Sequence, residues 1–265
     1  MAAIAIQEKE ERLIHSGAPK LSYSRINRYQ LCPEQYRLYY EEKLRLKIPP
    51  ANLVFGQFIH QALANLFLHG ADPAKHFIEL WEQIQDAELK YSGRDSWDSL
   101  KTKGEKLMSK FIDEELTHIE KVEAVEQPFE LIITNLEASL IGVIDLVATV
   151  DGKRTVIDFK TSASAYAESD VVLSDQLTAY RLAQPEAENL ALCVLVKTKQ
   201  PSIEWHWTQR DGQQLTEFLE KAAYIGQQIT ERQFHKRPGM WCKWCDYLPV
   251  CLRNQQEVER LFVQG

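Results

Sequence analysis

Long hydrophobic runs are missing from this sequence: nowhere do about 18 apolar residues follow one another, the length a membrane-crossing helix needs. A surplus of positive charge is missing too, since 31 Lys and Arg face 38 Asp and Glu for a net charge of −7. That balance argues against a protein that coats nucleic acid by bulk charge, and leaves only a local basic surface or bound cations for such contacts. The opening stretch MAAIAIQEKEERLIHSG has no apolar core of signal-peptide length, so the expected location is the cytoplasm. Repeats and low-complexity segments are also lacking. Cysteine is scarce, with Cys32, Cys193, Cys242, Cys245 and Cys251. An odd number with three crowded near the end suggests metal ligation more than disulfides in a reducing compartment.

The 265 residues suit one large domain, or one domain with an insertion, able to bury a substantial core. LSYSRINRYQLCPEQYRLYYEEKL (21–44) opens at a capping serine, Ser22, and runs in helical period until Cys32-Pro33 interrupts it, which predicts two short helices meeting at the cysteine. Residues 53–69 set Val54, Phe55, Phe58, Ile59, Ala62, Leu63 and Leu66 along one stripe of a helix packed on the core. From 70 to about 122 the pattern is helical but polar, broken near YSGRDSW (91–97), and reads as a helical insertion. Strand-like runs follow at 128–134, 136–150, 154–160, 190–198 and 202–208, with helices expected over about 171–184 and 212–232. Strands mixed with helices, including at least one hairpin, predict an α/β or α+β sandwich.

The hairpin carries the chemistry. Asp151-Gly152 is a two-residue turn signal that pairs Val150 with Lys153 and, counted outward, places Asp145 opposite Asp158. Opposed residues project on one face with Cβ atoms about 5 Å apart, and Lys160, two beyond Asp158, shares that face. Their neighbours Val143, Ile144, Leu146, Val156, Ile157 and Phe159 are apolar on both faces, as in a buried strand. Two buried carboxylates repel unless something positive lies between them, and a divalent cation is the natural partner. Oxygen ligands suit Mg²⁺ or Mn²⁺, which polarises a phosphoryl oxygen and activates water. Lys160 would orient or deprotonate that water or neutralise charge on the phosphate. The face is suited to phosphodiester hydrolysis.

Two helices complete it. Gly56 and His60 are i, i+4 on the helix over 53–69, the glycine allowing close approach to the sheet and the imidazole offering a ligand compatible with Mn²⁺. Taken alone, a histidine in an apolar helix is more often a hydrogen-bonded core residue. Gln176 and Tyr180 are also i, i+4 and could lean over the carboxylates to hold a phosphate or a base edge.

GQFIH, GVIDLV, VIDFKTS and QLTAY, in that order, resemble the RecB-like branch of the PD-(D/E)XK nucleases, over roughly residues 20–255 with 70–122 left unmatched. The resemblance implies a restriction-endonuclease-like α/β core with a mixed central sheet flanked by helices, and metal-dependent cleavage of DNA. It implies His60, Asp145, Asp158 and the Phe159 carbonyl as metal ligands, Lys160 as the catalytic lysine, and Gln176 and Tyr180 as the Q-x-x-x-Y pair. The proline of the superfamily pattern is absent, since Ile144 precedes Asp145.

WCKWCDYLPVC supplies C-x2-C-x5-C at Cys242, Cys245 and Cys251, three soft ligands lacking a fourth. YQLCPEQYRLYY upstream together with that loop is similar to the iron-sulfur variety of RecB-like nucleases, CRISPR-associated and AddB-type members included. That likeness implies a [4Fe-4S] cluster on Cys32, Cys242, Cys245 and Cys251, within a region formed by residue 32 and 238–252. Four thiolates fit zinc as well. Cys193 is expected to be an ordinary core residue.

Lys197, Lys199, His206 and HKRPG (235–239), with Trp205, Trp207, Trp241 and Trp244 nearby, could hold single-stranded DNA by phosphate contacts and stacking, although at least half of these tryptophans are expected to fill core or shield the cluster. No G-x-x-x-x-G-K-[ST] loop is present, so a helicase or CRISPR adaptation activity would come from a partner polypeptide. The expected protein is a single nuclease domain, 1–265: a Mg²⁺- or Mn²⁺-dependent DNA exonuclease acting on single strands or duplex ends. Its rivals are a DNA-end-binding or scaffolding subunit whose chemistry is not used, and a structural zinc protein with an incidental acidic hairpin.

Overall fold

A computed structural model describes residues 20–93, 95–133 and 138–265. The opening residues of the chain and the expected strand ends at 134 and 136–137 lie outside these. Eight strands are present among the described residues: β1 (Lys20–Leu21), β2 (Leu44–Leu46), β3 (Ile119–Ile133), β4 (Ala138–Val150), β5 (Lys153–Ser162), β6 (Asn189–Val196), β7 (Ser202–Thr208) and β8 (Phe262–Gln264). All but β2 and β8 form one mixed sheet, in which β1 runs parallel to β4 and β5 parallel to β6. The principal helices are α1 (Tyr23–Leu31), α2 (Ala51–His69), α3 (Pro73–Glu82), α4 (Trp97–Lys110), α5 (Asp175–Ala183) and α6 (Gly212–Thr230).

The turn forms as its residue types dictate. Asp151 and Gly152 both have positive φ, +47° and +74°, as a two-residue turn compatible with strand twist requires. From Val150–Lys153 the register runs outward as expected to Leu146–Ile157, and there the β4–β5 ladder ends, one pair short of Asp145 and Asp158.

The reason lies in how β4 is shared. β3 pairs along nearly its whole length, so β1 (at Ser139 and Leu140) and β5 (at Leu146 to Val150) divide the other edge. Between them, from Ile141 to Asp145, β4 has no strand neighbour on that side among the described residues, and the gap opens as a cleft. The strand also changes face there: Leu146, Ala148 and Val150 pack on the α2 side, yet Leu140 and Ile144, of the same parity, pack on the side of α5 and α6. Asp145 sits at this reversal.

Helices cover both faces. On one, Phe55, Ile59 and Leu63 of α2, Phe77 and Trp81 of α3 and Leu100 and Leu107 of α4 are fully buried against the sheet. On the other, Ile26 of α1, Ala179 of α5 and Phe218 and Ala222 of α6 form a second buried cluster with Leu140. The segment read as a polar insertion therefore contributes core: α3 and α4 each bury one stripe, starting at Asp72 and Ser96, whose side chains accept hydrogen bonds from first-turn amides. Its end differs as well, since Ile119 to Val122 already belong to β3. IEKVEAVEQP is rich in Glu and Lys, but pairing with β4 overrides local propensity. Pro128 is tolerated because β3 is the edge of the sheet.

Two further differences concern helix ends and the tail. The helix expected over 171–184 is split into Glu168–Val172 and α5, the latter capped by Ser174, which accepts from Leu177 N at 3.3 Å. After the cysteine loop the chain returns as β8 against β2, with the Tyr247 and Phe262 rings stacked 5.3 Å apart and Tyr247 Oη donating to Leu44 O at 2.9 Å.

Candidate active site

β5 delivers Asp158 and Lys160, and α5 delivers Gln176 and Tyr180 one turn apart, onto a single network. Lys160 Nζ lies 2.8 Å from Asp158 Oδ2 and donates to Gln176 Oε1 at 2.6 Å. Gln176 Nε2 donates to Asp158 Oδ1 at 2.6 Å and to Tyr180 Oη at 2.8 Å. The amide orientation follows from chemistry, because a flipped amide would set its N–H groups against the ammonium. Tyr180 Oη in turn donates to Val143 O at 2.7 Å, a carbonyl on the stretch of β4 that has left its β5 partner. The tyrosine thus bolts α5 to the rim of the cleft.

The second group is built around Asp145. Its Oδ2 accepts from Phe159 N at 2.9 Å, taking the place of a ladder bond where the strands part, and lies 3.4 Å from His60 Nδ1. His60 projects from α2, which approaches β5 so closely at Gly56 that a Cβ there would stand 3.1 Å from Thr161 Oγ1. The two acids are therefore not a facing pair in the ladder: Asp145 turns toward His60, and Asp158 toward Lys160, Gln176 and Tyr180. Among the described residues the group with three ligand atoms within 4.8 Å of one another is His60, Glu126 and Asp145, without Asp158. Sequence reasoning missed Glu126. The available signal was its place in β3 across from Asp145, which needed the β3–β4 register to be seen.

All of these groups except Glu126 and Phe159 line one cavity of about 390 Å³, whose mouth also carries Ser22, Tyr23 and Asn52. Burial raises the Asp158 carboxyl above the ordinary range against the pull of the Lys160 ammonium, with the Asp145 charge adding to the rise. Asp145 moves the opposite way: burial is outweighed by His60, Lys160 and the Phe159 N–H, and its pKa is lowered. His60 and Lys160 are both raised, burial being overcome by the neighbouring carboxylates. Two carboxylates of opposite tendency share a cleft with one ammonium, an arrangement suited to binding a cation and moving a proton.

The fold also brings Cys32 to the C-terminal loop. Glu34 N donates to His235 O at 3.1 Å, Gln35 Nε2 reaches Cys245 Sγ at 3.4 Å, and Cys245 N donates to Cys242 O at 3.3 Å. Burial pushes the Cys251 thiol up, Lys236 opposes this, and Glu34, Cys245 and Cys32 reinforce it, so these thiols sense one another. No three thiol sulfurs among the described residues lie within 4.8 Å of one another. Tetrahedral zinc, with Zn–S near ~2.3 Å, needs sulfurs about 3.8 Å apart. Cys193 is fully buried in the core under α2, as expected.

The expected DNA-holding surface is corrected at Lys197. It is 6% exposed, bonded to Asn52 Oδ1 and set 5.3 Å above the Phe55 ring, so its charge faces inward because the last residues of β6 run beneath α2. Lys199 is exposed, and His206 sits beside Glu204 and the Tyr166 ring. Trp205 and Trp207 stack 5.2 Å apart, with Trp205 Nε1 donating to Glu115 and Trp207 partly exposed. Trp241 donates to Arg237 O, whereas Trp244 is 73% exposed. Lys236 bonds to Cys251 O within the loop, and Arg237 bonds to Gln30 O and ties the loop to α1.

The chain is similar in fold to a candidate exonuclease from Eubacterium rectale, with a TM-score of 0.54 and 12% identity over 89% of this chain and 87% of that one. A second solved structure, of SSO0001, gives a TM-score of 0.44 and 16% identity over 94% of both chains. No curated protein matches in sequence. The sequence profile of one family matches residues 20–252, nearly the whole described chain, and on that match the protein belongs to the PD-(D/E)XK nuclease superfamily.

Proposed function

We propose that this nuclease is a Mg²⁺- or Mn²⁺-dependent DNA exonuclease of the RecB-like type, acting on single strands or duplex ends, and that Cys32, Cys242, Cys245 and Cys251 hold a structural [4Fe-4S] cluster. The observation that carries the catalytic reading is the Asp158–Lys160–Gln176–Tyr180 network opening, with His60 and Asp145, into one cleft.

The residues fit a hard divalent cation. Asp158 Oδ2 is buried, with the Lys160 ammonium at 2.8 Å as its one partner among the described residues, so a second lone pair is left for a cation. His60, Asp145, Asp158 and the Phe159 carbonyl would hold it, and the ion would supply Lewis-acid polarisation of the phosphoryl oxygen and acidify water. Lys160 keeps its proton at neutral pH, its pKa being raised, and offers that charge to the developing phosphorane. Gln176 holds the ammonium and Asp158 in register, and Tyr180 fixes Gln176. The choice of a cluster over zinc rests on the resemblance of YQLCPEQYRLYY and the C-x2-C-x5-C loop to the iron-sulfur variety of these nucleases. A helicase or CRISPR adaptation partner and a cytoplasmic setting rest on the resemblance and composition.

The deciding experiment digests end-labelled single- and double-stranded DNA with Mg²⁺, Mn²⁺ or chelator. Cation-dependent release of short products from an end, lost in D158A and K160A, is the expected result. Cleavage by those variants at the wild-type rate would falsify the site assignment. A brown, anaerobically purified protein with visible absorption is expected for the cluster, and stoichiometric zinc without iron would refute it.

A further inference from the structure

Glu126 stands across from Asp145 in the β3–β4 ladder, bracketed by the pairs Val125–Leu146 and Gln127–Ile144. Its φ of +50° lies in the left-handed region, so the backbone departs from the regular strand where β4 changes face. There a Glu126 carboxylate oxygen, a His60 ring nitrogen and an Asp145 carboxylate oxygen come within 4.8 Å of one another. A mixed set of one imidazole and two carboxylates on three different elements is a ligand set rather than a solvated acidic face. Asp158, its side chain 1% exposed, lines the same cleft as His60 and Asp145, with its Oδ2 partnered by the Lys160 ammonium at 2.8 Å.

We propose that Glu126 is a further protein ligand of the divalent cation, supplied by β3 and joining His60 and Asp145, in addition to the residues named above. The inference rests on the metal-dependent reading of the site. The position on β3 also explains why this ligand escapes a pattern built on the hairpin, since it belongs to the strand on the far side of Asp145.

The test is Mn²⁺ binding to the full chain without DNA, read from the free-Mn²⁺ electron paramagnetic resonance signal. E126Q is expected to weaken Mn²⁺ affinity about tenfold or more, E126D to stay within about threefold, and D145N to weaken it at least as much as E126Q. If E126Q does not fold by circular dichroism, E126N, which accepts the left-handed backbone, takes its place. Wild-type affinity in E126Q or E126N, with binding weakened in D145N, overturns the role of Glu126 and leaves the metal reading standing. A wild-type protein that binds no Mn²⁺ overturns both.

Discussion

Replacing Lys160 by methionine removes the ammonium 2.8 Å from Asp158 Oδ2 and leaves a carboxylate with a 1% exposed side chain to be held by Gln176 and, at 3.3 Å, Tyr180. Breaking a buried ion pair by deleting one partner costs about 3–5 kcal/mol. The Lys160 side chain is 30% exposed and water screens part of the interaction, so the lower end applies, about 3 kcal/mol. For a domain of this size that is a fall in Tm of about 6–12 °C. D158N gives the contrast, because the ammonium it abandons reaches water and the amide still accepts a hydrogen bond; its cost is about 1 kcal/mol. The assay is urea unfolding in chelator. Burial already holds the Asp158 carboxyl above its ordinary 3.8, and loss of the opposing ammonium raises it further. A carboxyl raised in the folded state favours folding while protonated, so the K160M deficit is smallest below the unfolded pKa and grows as pH rises toward the folded one. The reasoning fails if K160M is as stable as D158N at neutral pH, or if its deficit shrinks between about pH 4 and 7.

Three further outcomes follow from particular contacts. Gly104 of α4 has the Phe77 ring where its Cβ would lie, 2.1 Å away in a packed core, so G104A should lose about 1–3 kcal/mol of overpacking against about 1 kcal/mol gained in helix propensity; a net stabilisation in thermal unfolding would contradict this. Gly56→Val drives α2 away from Thr161 and carries His60 with it, and kcat/KM on DNA should fall about a hundredfold in a protein that still folds, whereas unchanged kinetics would show that the close approach does not position the imidazole. Cys242→Ala should bleach the visible absorption and lower Tm, since a cluster closing the 210-residue loop from Cys32 restrains the unfolded chain by about 5 kcal/mol; full thermal stability would count against a structural cluster.

The mixture of strands and helices and the central hairpin were legible in the sequence because their signals are local, whereas the restriction-endonuclease-like mixed sheet between two helical layers was implied by the family resemblance. Asp151-Gly152 dictates a turn with both φ values positive, and alternation in β4 and β5 then sets the register as far as Leu146–Ile157. The stripe of α2 likewise follows from spacing, and its burial was foreseeable from Phe55, Ile59 and Leu63. Beyond that pair, local pattern misled: periodicity set Asp145 against Asp158, but β4 changes face there and parts from β5, and β1 takes up the edge only at Ser139 and Leu140.

What the sequence by itself determined is the set of reactive groups and the short-range order that carries them: His60 one turn from Gly56, Asp158 two residues from Lys160, Gln176 one turn from Tyr180, and three cysteines in one loop. Tertiary structure alone decided which groups meet. Sharing of the β4 edge opened the cleft and split the two acids between His60 and Lys160, β3 pairing brought in Glu126 from the stretch between the expected helices and the first expected strand, and the return of the chain as β8 set Cys32 beside the C-terminal loop. Those contacts join residues far apart along the chain, where neither propensity nor spacing acts, and only the packing of whole elements selects among them.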